Sequence, residues 1–313
     1  MSAYAIGIDL GGTRIRGALL TQDGTILART TAPTPATQGA DAVVSAIAAI
    51  VREVAQAVRS ESVLGIGLSA PGPLDPEKGL ALATPTIAGF TNFPLRDRLQ
   101  EKTGHRVMME VDAIAACIGE WRFGAGMGLA NMVYVTVSTG IGGGAVVDNQ
   151  VLHGRRGMAA HVGHMTVVRD GELCACGNHG CFEAYASGTA FVSRARRLAG
   201  MHPDSILTST STGEDIFRAA TQGDRLAREL IDEEAAMLGL GFATLLHLYS
   251  PELIVVGGGM SNQFSVLHPG IMTAIERSAM PPFRDVPVVL AKLGDNSGLA
   301  GVASLTFEAF QKL

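Results

Sequence analysis

Two short segments of this chain repeat one pattern, and that repetition limits its possible folds more than any other feature. Tyr4–Asp9 is an apolar run that leads into Gly11-Gly12-Thr13 and resumes as Arg14–Leu20. About 130 residues later, Met132–Ser138 alternates as a strand, Thr139-Gly140-Ile141-Gly142-Gly143-Gly144 turns, and Ala145–Val147 resumes. Each segment reads strand, glycine and hydroxyl turn, strand. One such hairpin in each half predicts two related domains facing each other across a cleft. The length of 313 residues suits two domains at roughly 100–200 residues each.

The rest of the chain alternates strands with helices, which argues for an α/β architecture. Ile26–Thr31 and Val63–Ser69 read as strands, the second stopping at Ala70-Pro71-Gly72-Pro73. Apolar steps of three and four residues predict a helix over Asp41–Ser60. Further helices are expected at Pro94–Thr103, Asp112–Phe123, Glu183–Ala199, Gly213–Gln222, Asp224–Ser250, Gln263–Ser278 and Gly301–Lys312. Strands fall at Arg106–Glu110, Leu253–Val256 (leading into Gly257-Gly258-Gly259) and Val286–Lys292. On this reading a smaller N-terminal domain takes residues 1–111 plus about 301–313, and a larger one takes 112–300.

Glycine supplies 39 of the 313 residues, well above the usual share of about 7%. With 47% hydrophobic residues and no periodic glycine, the excess marks tight turns and close backbone approaches, not disorder. The net charge of −5 and the lack of any Lys/Arg block argue against nucleic-acid or anionic-membrane partners. No run of 18 apolar residues occurs, and the N-terminus lacks a signal-peptide pattern, so a cytoplasmic protein is expected.

The glycine turns can cradle phosphate, because glycine lets backbone N–H groups converge on oxygens. Asp9 beside the first turn suits a hydrated Mg²⁺. Neither turn is a Walker A or a GxGxxG motif. His164-x9-Cys174-x-Cys176-x4-Cys181 has the spacing of a closed, structural Cys₃His zinc site. Buried free cysteines are the plain alternative, and a Cys174–Cys176 disulfide would be strained. Cys117 reads as a small core hydrophobe. His161 and His164 lack the HExxH spacing of a catalytic zinc pair. Asp112, at the start of a helix, is either a general base or an N-cap, and Glu110 reads as structural.

The chain resembles the ROK-family sugar kinases of the actin, Hsp70 and hexokinase superfamily. The likeness rests on DLGGT at 9–13, APGPLD at 70–75, EVDAIAA at 110–116 and STGIGGG at 138–144. It continues with GHM at 163–165, CACGNHGCFEAYASG at 174–188, VVGGGMS at 255–261 and GDNSGLAG at 294–301. The resemblance implies two actin-like (ribonuclease H-like) α/β domains around a central cleft, with a structural zinc site. It also implies MgATP and phosphoryl transfer to a sugar hydroxyl, usually the 6-OH. Asp112 then matches the catalytic base. His164 matches a residue that holds zinc through one ring nitrogen and sugar through the other. Glu183 matches a sugar-hydroxyl acceptor, and Gly72 lies on the sugar-side loop. Gly11, Gly12, Thr13, Thr139 and Gly140 match the phosphate loops, and Gly257 and Gly258 the adenosine side.

Three sugar-side positions depart from the family pattern. Val111 stands where an Asn is usual, His161 where a Glu is usual, and Thr86 opens a loop that usually begins with Asn. Some bacterial N-acetylmannosamine kinases look similar in carrying a His at the second position. The expected substrate is therefore a neutral or N-acylated hexose other than plain glucose. A catalytically weak sugar sensor of the same fold is the alternative. With the first strand beginning at Tyr4, no DNA-binding domain is expected. The low charged fraction and apolar helices suggest a homodimer or homotetramer.

Overall fold

The computed structural model describes residues 3–59, 62–84 and 86–310. The chain divides into two compact units, Met1–Ala130 with Gly144–Ala160 and Ala291–Leu313, and Asn131–Gly143 with His161–Leu290. This differs from the expected boundary at 111/112. The helix that starts at Asp112 stays with the first unit because it packs along the C-terminal helix, which itself lies on the first sheet.

The first sheet begins with β1 (Tyr4–Leu10), β2 (Arg14–Leu20), β3 (Ile26–Pro33) and β4 (Val63–Ala70). The short strands β5 (Leu74–Asp75), β6 (Leu80–Ala83) and β7 (Thr91–Phe93) form a small separate sheet, and β8 (Val107–Val111) completes the first. The order is β3-β2-β1-β4-β8, with β1 antiparallel to β2 and parallel to β4. Alternation along β1 divides its side chains between two cores. Ile6, Ile8 and Leu10 enter the cluster that holds Val43, Ile47 and Ile50 of α1 (Ala40–Ala55). Ala5 faces the other way, towards Leu299, Ala303 and Phe307 of α9 (Ser297–Phe310). Between those small side chains the helix lies almost on the strand backbone. A Cβ on Gly7 would stand 2.5 Å from the Leu299 carbonyl oxygen. Gly119 of α3 (Asp112–Phe123) is needed in the same way, since a Cβ there would strike the Ser297 carbonyl. Part of the glycine excess thus serves packing, at positions where the sequence shows only strand and helix.

The second sheet comprises β9 (Met132–Val137), β10 (Ile141–Val147), β11 (Gln150–Val151), β12 (Leu253–Gly257) and β13 (Val288–Leu290). Its order, β11-β10-β9-β12-β13, repeats that of the first. The helix expected over 183–199 is two helices, α4 (Phe182–Ala186) and α5 (Gly188–Ala199). Ser187 between them is extended, and its hydroxyl caps α5 by accepting from Ala190 N–H at 3.1 Å. The remaining helices are α6 (Gly213–Thr221), α7 (Arg225–Tyr249) and α8 (Phe264–Ser278). α7 ends, as its sequence predicts, just before Pro251, with Ser250 in the left-handed region at φ 44°. Buried Phe182 meets Phe242 of α7 edge-on at 6.4 Å. Arg194 of α5 donates to the Tyr185 carbonyl at 2.9 Å and to buried Glu234 of α7 at 3.0 Å, which fastens α4 to both longer helices.

α1 ends at Ala55, earlier than expected, and α9 begins at Ser297, earlier than the expected Gly301. The expected helix ends at Ser60 and Lys312 lie outside the described residues. No helix among the described residues is long and apolar enough to cross a membrane.

Candidate active site

In the first unit, strand register builds the site. Asp9 is paired with Arg16 on β2 and with Ser69 on β4, and Ser69 is paired with Glu110 on β8. Directly paired residues project from the same face of a sheet, so Arg16, Asp9, Ser69 and Glu110 form a polar row across four strands. Within the row, Arg16 donates to Asp9 Oδ2 at 3.3 Å and Ser69 Oγ donates to Asp9 Oδ1 at 3.1 Å. Arg16 reaches Asp295 as well, at 3.2 Å, just before α9. Burial pushes the Asp9 carboxyl above the usual carboxylate range, while Ser69 and Arg16 pull it back.

Asp112 follows the end of β8 as the first residue of α3. It is not the N-cap. Val111 occupies that position, and Asp112 Oδ1 accepts the next N–H, that of Ala113, at 2.7 Å. The residue is exposed to solvent, yet its carboxyl is surrounded densely enough by protein that desolvation raises it to about 6, helped by the negative charge of Asp9. Val111 comes directly before Asp112, at the end of β8. It is 5% exposed and belongs to the hydrophobic core.

The first glycine turn is held at its edges. Gly11 N–H donates to the Arg14 carbonyl at 2.9 Å, and the Gly11 and Thr13 carbonyls accept from Thr34. A Cβ on Gly12 would rest 3.5 Å from Thr86, so the exposed Thr86 lies beside this turn. Gly72 sits in the β4–β5 loop, which Thr84 ties down through the Pro71 carbonyl at 3.3 Å.

In the second unit the corresponding turn is closed from behind. Ile141 N–H donates to Glu183 Oε2 at 2.8 Å, and a Cβ on Gly140 would come within 2.5 Å of that same oxygen. The first N–H groups of α5 also hold the turn, Gly188 donating to the Ser138 carbonyl at 2.7 Å and Thr189 to the Thr139 carbonyl at 3.4 Å. The turn after β12 packs on it. Gly258, at φ 86°, would put a Cβ 2.5 Å from the Val137 carbonyl oxygen, so only glycine is accommodated there. Thr139, Gly140, Gly257 and Gly258 therefore form one backbone-lined edge, with Glu183 behind it.

Next to Glu183 lie the four residues with metal-ligand spacing. One donor atom from each of His164, Cys174, Cys176 and Cys181 falls within 4.8 Å of all the others. His164 Nδ1 is 3.7 Å from Cys174 Sγ, and Cys176 Sγ is 3.7 Å from Cys181 Sγ. A tetrahedral zinc with Zn–S bonds of about 2.3 Å has S···S edges of about 3.8 Å, so the spacing fits. Burial pushes the Cys174 thiol up to about 12, so a thiolate here needs a cation beside it. His164 turns Nδ1 to this cluster, and the rest of its ring is exposed. His161 stacks 6.3 Å from the His164 ring, and its Nε2 is buried with no hydrogen-bond partner among the described residues. Cys117 is fully buried, as expected of a core residue.

Arg16, Ser69 and Asp295 were not visible as site residues in the sequence, nor was His153, which meets Glu110 at 2.9 Å. Their roles come from strand pairing and from chain returns of up to 279 residues, which local spacing does not reveal.

The ROK family model matches residues 5–309. A glucokinase from Thermotoga maritima is 35% identical over 310 residues, covering 97% of each chain. An N-acetylmannosamine kinase from Escherichia fergusonii is 32% identical over 303 residues, covering 96% of this chain and 97% of that protein. The solved ROK family glucokinase from Streptomyces griseus, in complex with glucose and AMPPNP, matches with a TM-score of 0.81 at 35% identity. That match covers 97% of this chain and 99% of the other. Two five-stranded sheets of one repeated order, together with these matches, describe an actin-like two-domain α/β fold, and the chain belongs to the ROK family.

Proposed function

We propose that this protein is an ATP-dependent sugar kinase in which Asp112 is the general base. The observation that carries the reading is the place of Asp112 as the first residue of α3, its carboxyl accepting one backbone N–H and pushed up to about 6 by the desolvation of its dense surroundings. A base near neutrality is largely unprotonated at pH 7 yet retains proton affinity, which suits it to a sugar hydroxyl. The sugar oxygen forms a bond to the γ-phosphorus as the bond to the ADP oxygen breaks, and the hydroxyl proton passes to Asp112. MgATP is the co-substrate and brings its own cation to the transferring phosphoryl group. Gly12 and Thr13, in the turn that Gly11 shapes, offer backbone donors for phosphate oxygens, and Thr139 and Gly140 are assigned the same role in their own turn. Gly257 and Gly258 line the adenosine side, and Asp9 orients the hydrated magnesium.

His164, Cys174, Cys176 and Cys181 would hold a structural zinc, which fixes the segment carrying His161 and Glu183. His164, Glu183 and His161 are the sugar-facing candidates of this segment, and Gly72 and Thr86 are those of the first unit. His161 in place of a carboxylate removes a negative charge, which favours a neutral hexose or an N-acylhexosamine over a cationic amino sugar. Val111, being core, contributes through packing and not through contact. The phosphorylated position is the 6-OH.

ADP release across glucose, mannose, N-acetylglucosamine and N-acetylmannosamine tests this. The expected result is turnover with the highest kcat/KM on a sugar other than glucose. A best kcat/KM on glucose would overturn the substrate assignment, and no ADP release with any sugar would overturn the kinase itself.

A further inference from the structure

Glu110 and His153 remain outside the reaction as derived so far, yet they pair next to the base, the carboxylate buried and the imidazole at the surface. Glu110 is 3% exposed at the end of β8, two residues before Asp112. Its Oε1 accepts the N–H of Val111 at 2.8 Å, which is the residue that caps α3. Its Oε2 meets His153 Nε2 at 2.9 Å. His153 follows β11 by two residues in the chain. The segment after β11 is thus joined through one imidazole to the carboxylate of β8, and that carboxylate holds the turn of chain from which Asp112 projects.

A buried carboxylate needs a partner of opposite charge. Glu110 has one in His153, and each of its oxygens already has a bond to make. We propose that the His153–Glu110 pair is a positioning device for the base, fixing the β8–α3 junction so that the Asp112 carboxylate stays aimed at the sugar hydroxyl. Glu110 and His153 act through Asp112 and touch no reacting atom. The hydrogen bond to the Glu110 carboxylate holds His153 above its ordinary value, which favours the protonated ring. This inference rests on the assignment of Asp112 as base.

A mutant cycle separates the two claims. His153→Ala is expected to lower kcat at least tenfold with KM for ATP and sugar within threefold. His153→Gln, whose amide can still donate to Glu110, is expected to recover kcat to within threefold of wild type. In an Asp112→Asn background, His153→Ala should cost less than a further twofold, because the residue it positions is gone. A loss that is the same in both backgrounds, an effect confined to KM, or an unchanged kcat would overturn the proposal. If His153→Ala does not fold, Glu110→Gln replaces it in the cycle, since it keeps an acceptor for Val111 and removes the charge. A kcat loss of threefold to tenfold that vanishes with Asp112→Asn is then expected, and an additive loss would overturn the proposal. Activity of Asp112→Asn within tenfold of wild type would instead refute the base assignment.

Discussion

The two glycine turns stand at the same place in two sheets of the same order, and they are built by opposite means. The turn at Gly11–Thr13 gets its neighbours from strand register, which lines up Arg16, Asp9 and Ser69 beside it. The turn at Thr139–Gly140 gets its neighbours from outside the sheet, through Glu183 and the first residues of α5. The first has room above Gly12, while at Gly140 a carboxylate oxygen fills the space a Cβ would need. One topology has thus become an acidic half and a half braced by buried chemistry. A repeated strand order fixes where a turn sits, and the residues behind it decide what the turn can do.

Removal of the proposed zinc should break this comparison most severely. Structural zinc sites contribute about 10–16 kcal/mol in small domains, and residues 161–186 have no extended sheet of their own. Metal analysis is expected to find about one zinc per chain. Chelation, or Cys181→Ser, should abolish hydrogen-exchange protection over 161–186 and leave β1 and β2 protected. Equal loss of protection in both units would show that the second is not specially braced.

Gly140→Ala should come next. Its Cβ would displace Glu183 Oε2 from Ile141 N–H, a charged hydrogen bond worth about 1.5–3 kcal/mol. We expect kcat/KM to fall about 10- to 100-fold with the fold intact by circular dichroism. Gly12→Ala should do least to the folded protein, shifting unfolding free energy by less than about 1 kcal/mol, because its Cβ meets Thr86 only at ordinary contact distance. A rise in KM for ATP in Gly12→Ala, with unchanged stability, would mark that open space as ligand space. Equal destabilisation by the two alanines in urea melts would erase the difference between the turns.

Much of this was legible in the sequence where the signal is local. The two hairpins and the end of α7 before Pro251 depend on residues close in the chain and stand as read, and the same local spacing brings the four ligand-type atoms of His164, Cys174, Cys176 and Cys181 within 4.8 Å of one another. The boundary between α4 and α5 was obscured because apolar spacing continues through Ser187, although a serine before Gly-Thr is itself a cap signal. The burial of Val111 was not legible, because whether a residue at a strand end faces core or solvent depends on which helix covers it. The polar row and the Glu110–His153 pair could not be read, because register between β2, β1, β4 and β8 joins residues far apart in sequence. Glycines at 7 and 119 were indistinguishable from those in turns until α9 was seen lying on them.

The central claim is that Asp112 takes the proton, and the pH dependence of kcat/KM tests it most directly. A base must be unprotonated to work, so raising its value to about 6 moves the acid limb upward from the usual carboxylate range. Wild type is predicted to lose kcat/KM tenfold per pH unit below an apparent value near 6, while Asp112→Asn lacks that limb and is slower by about 10²–10⁴-fold at pH 7.5. An Asp112→Asn variant that keeps the same acid limb, with activity within tenfold of wild type, would contradict the account.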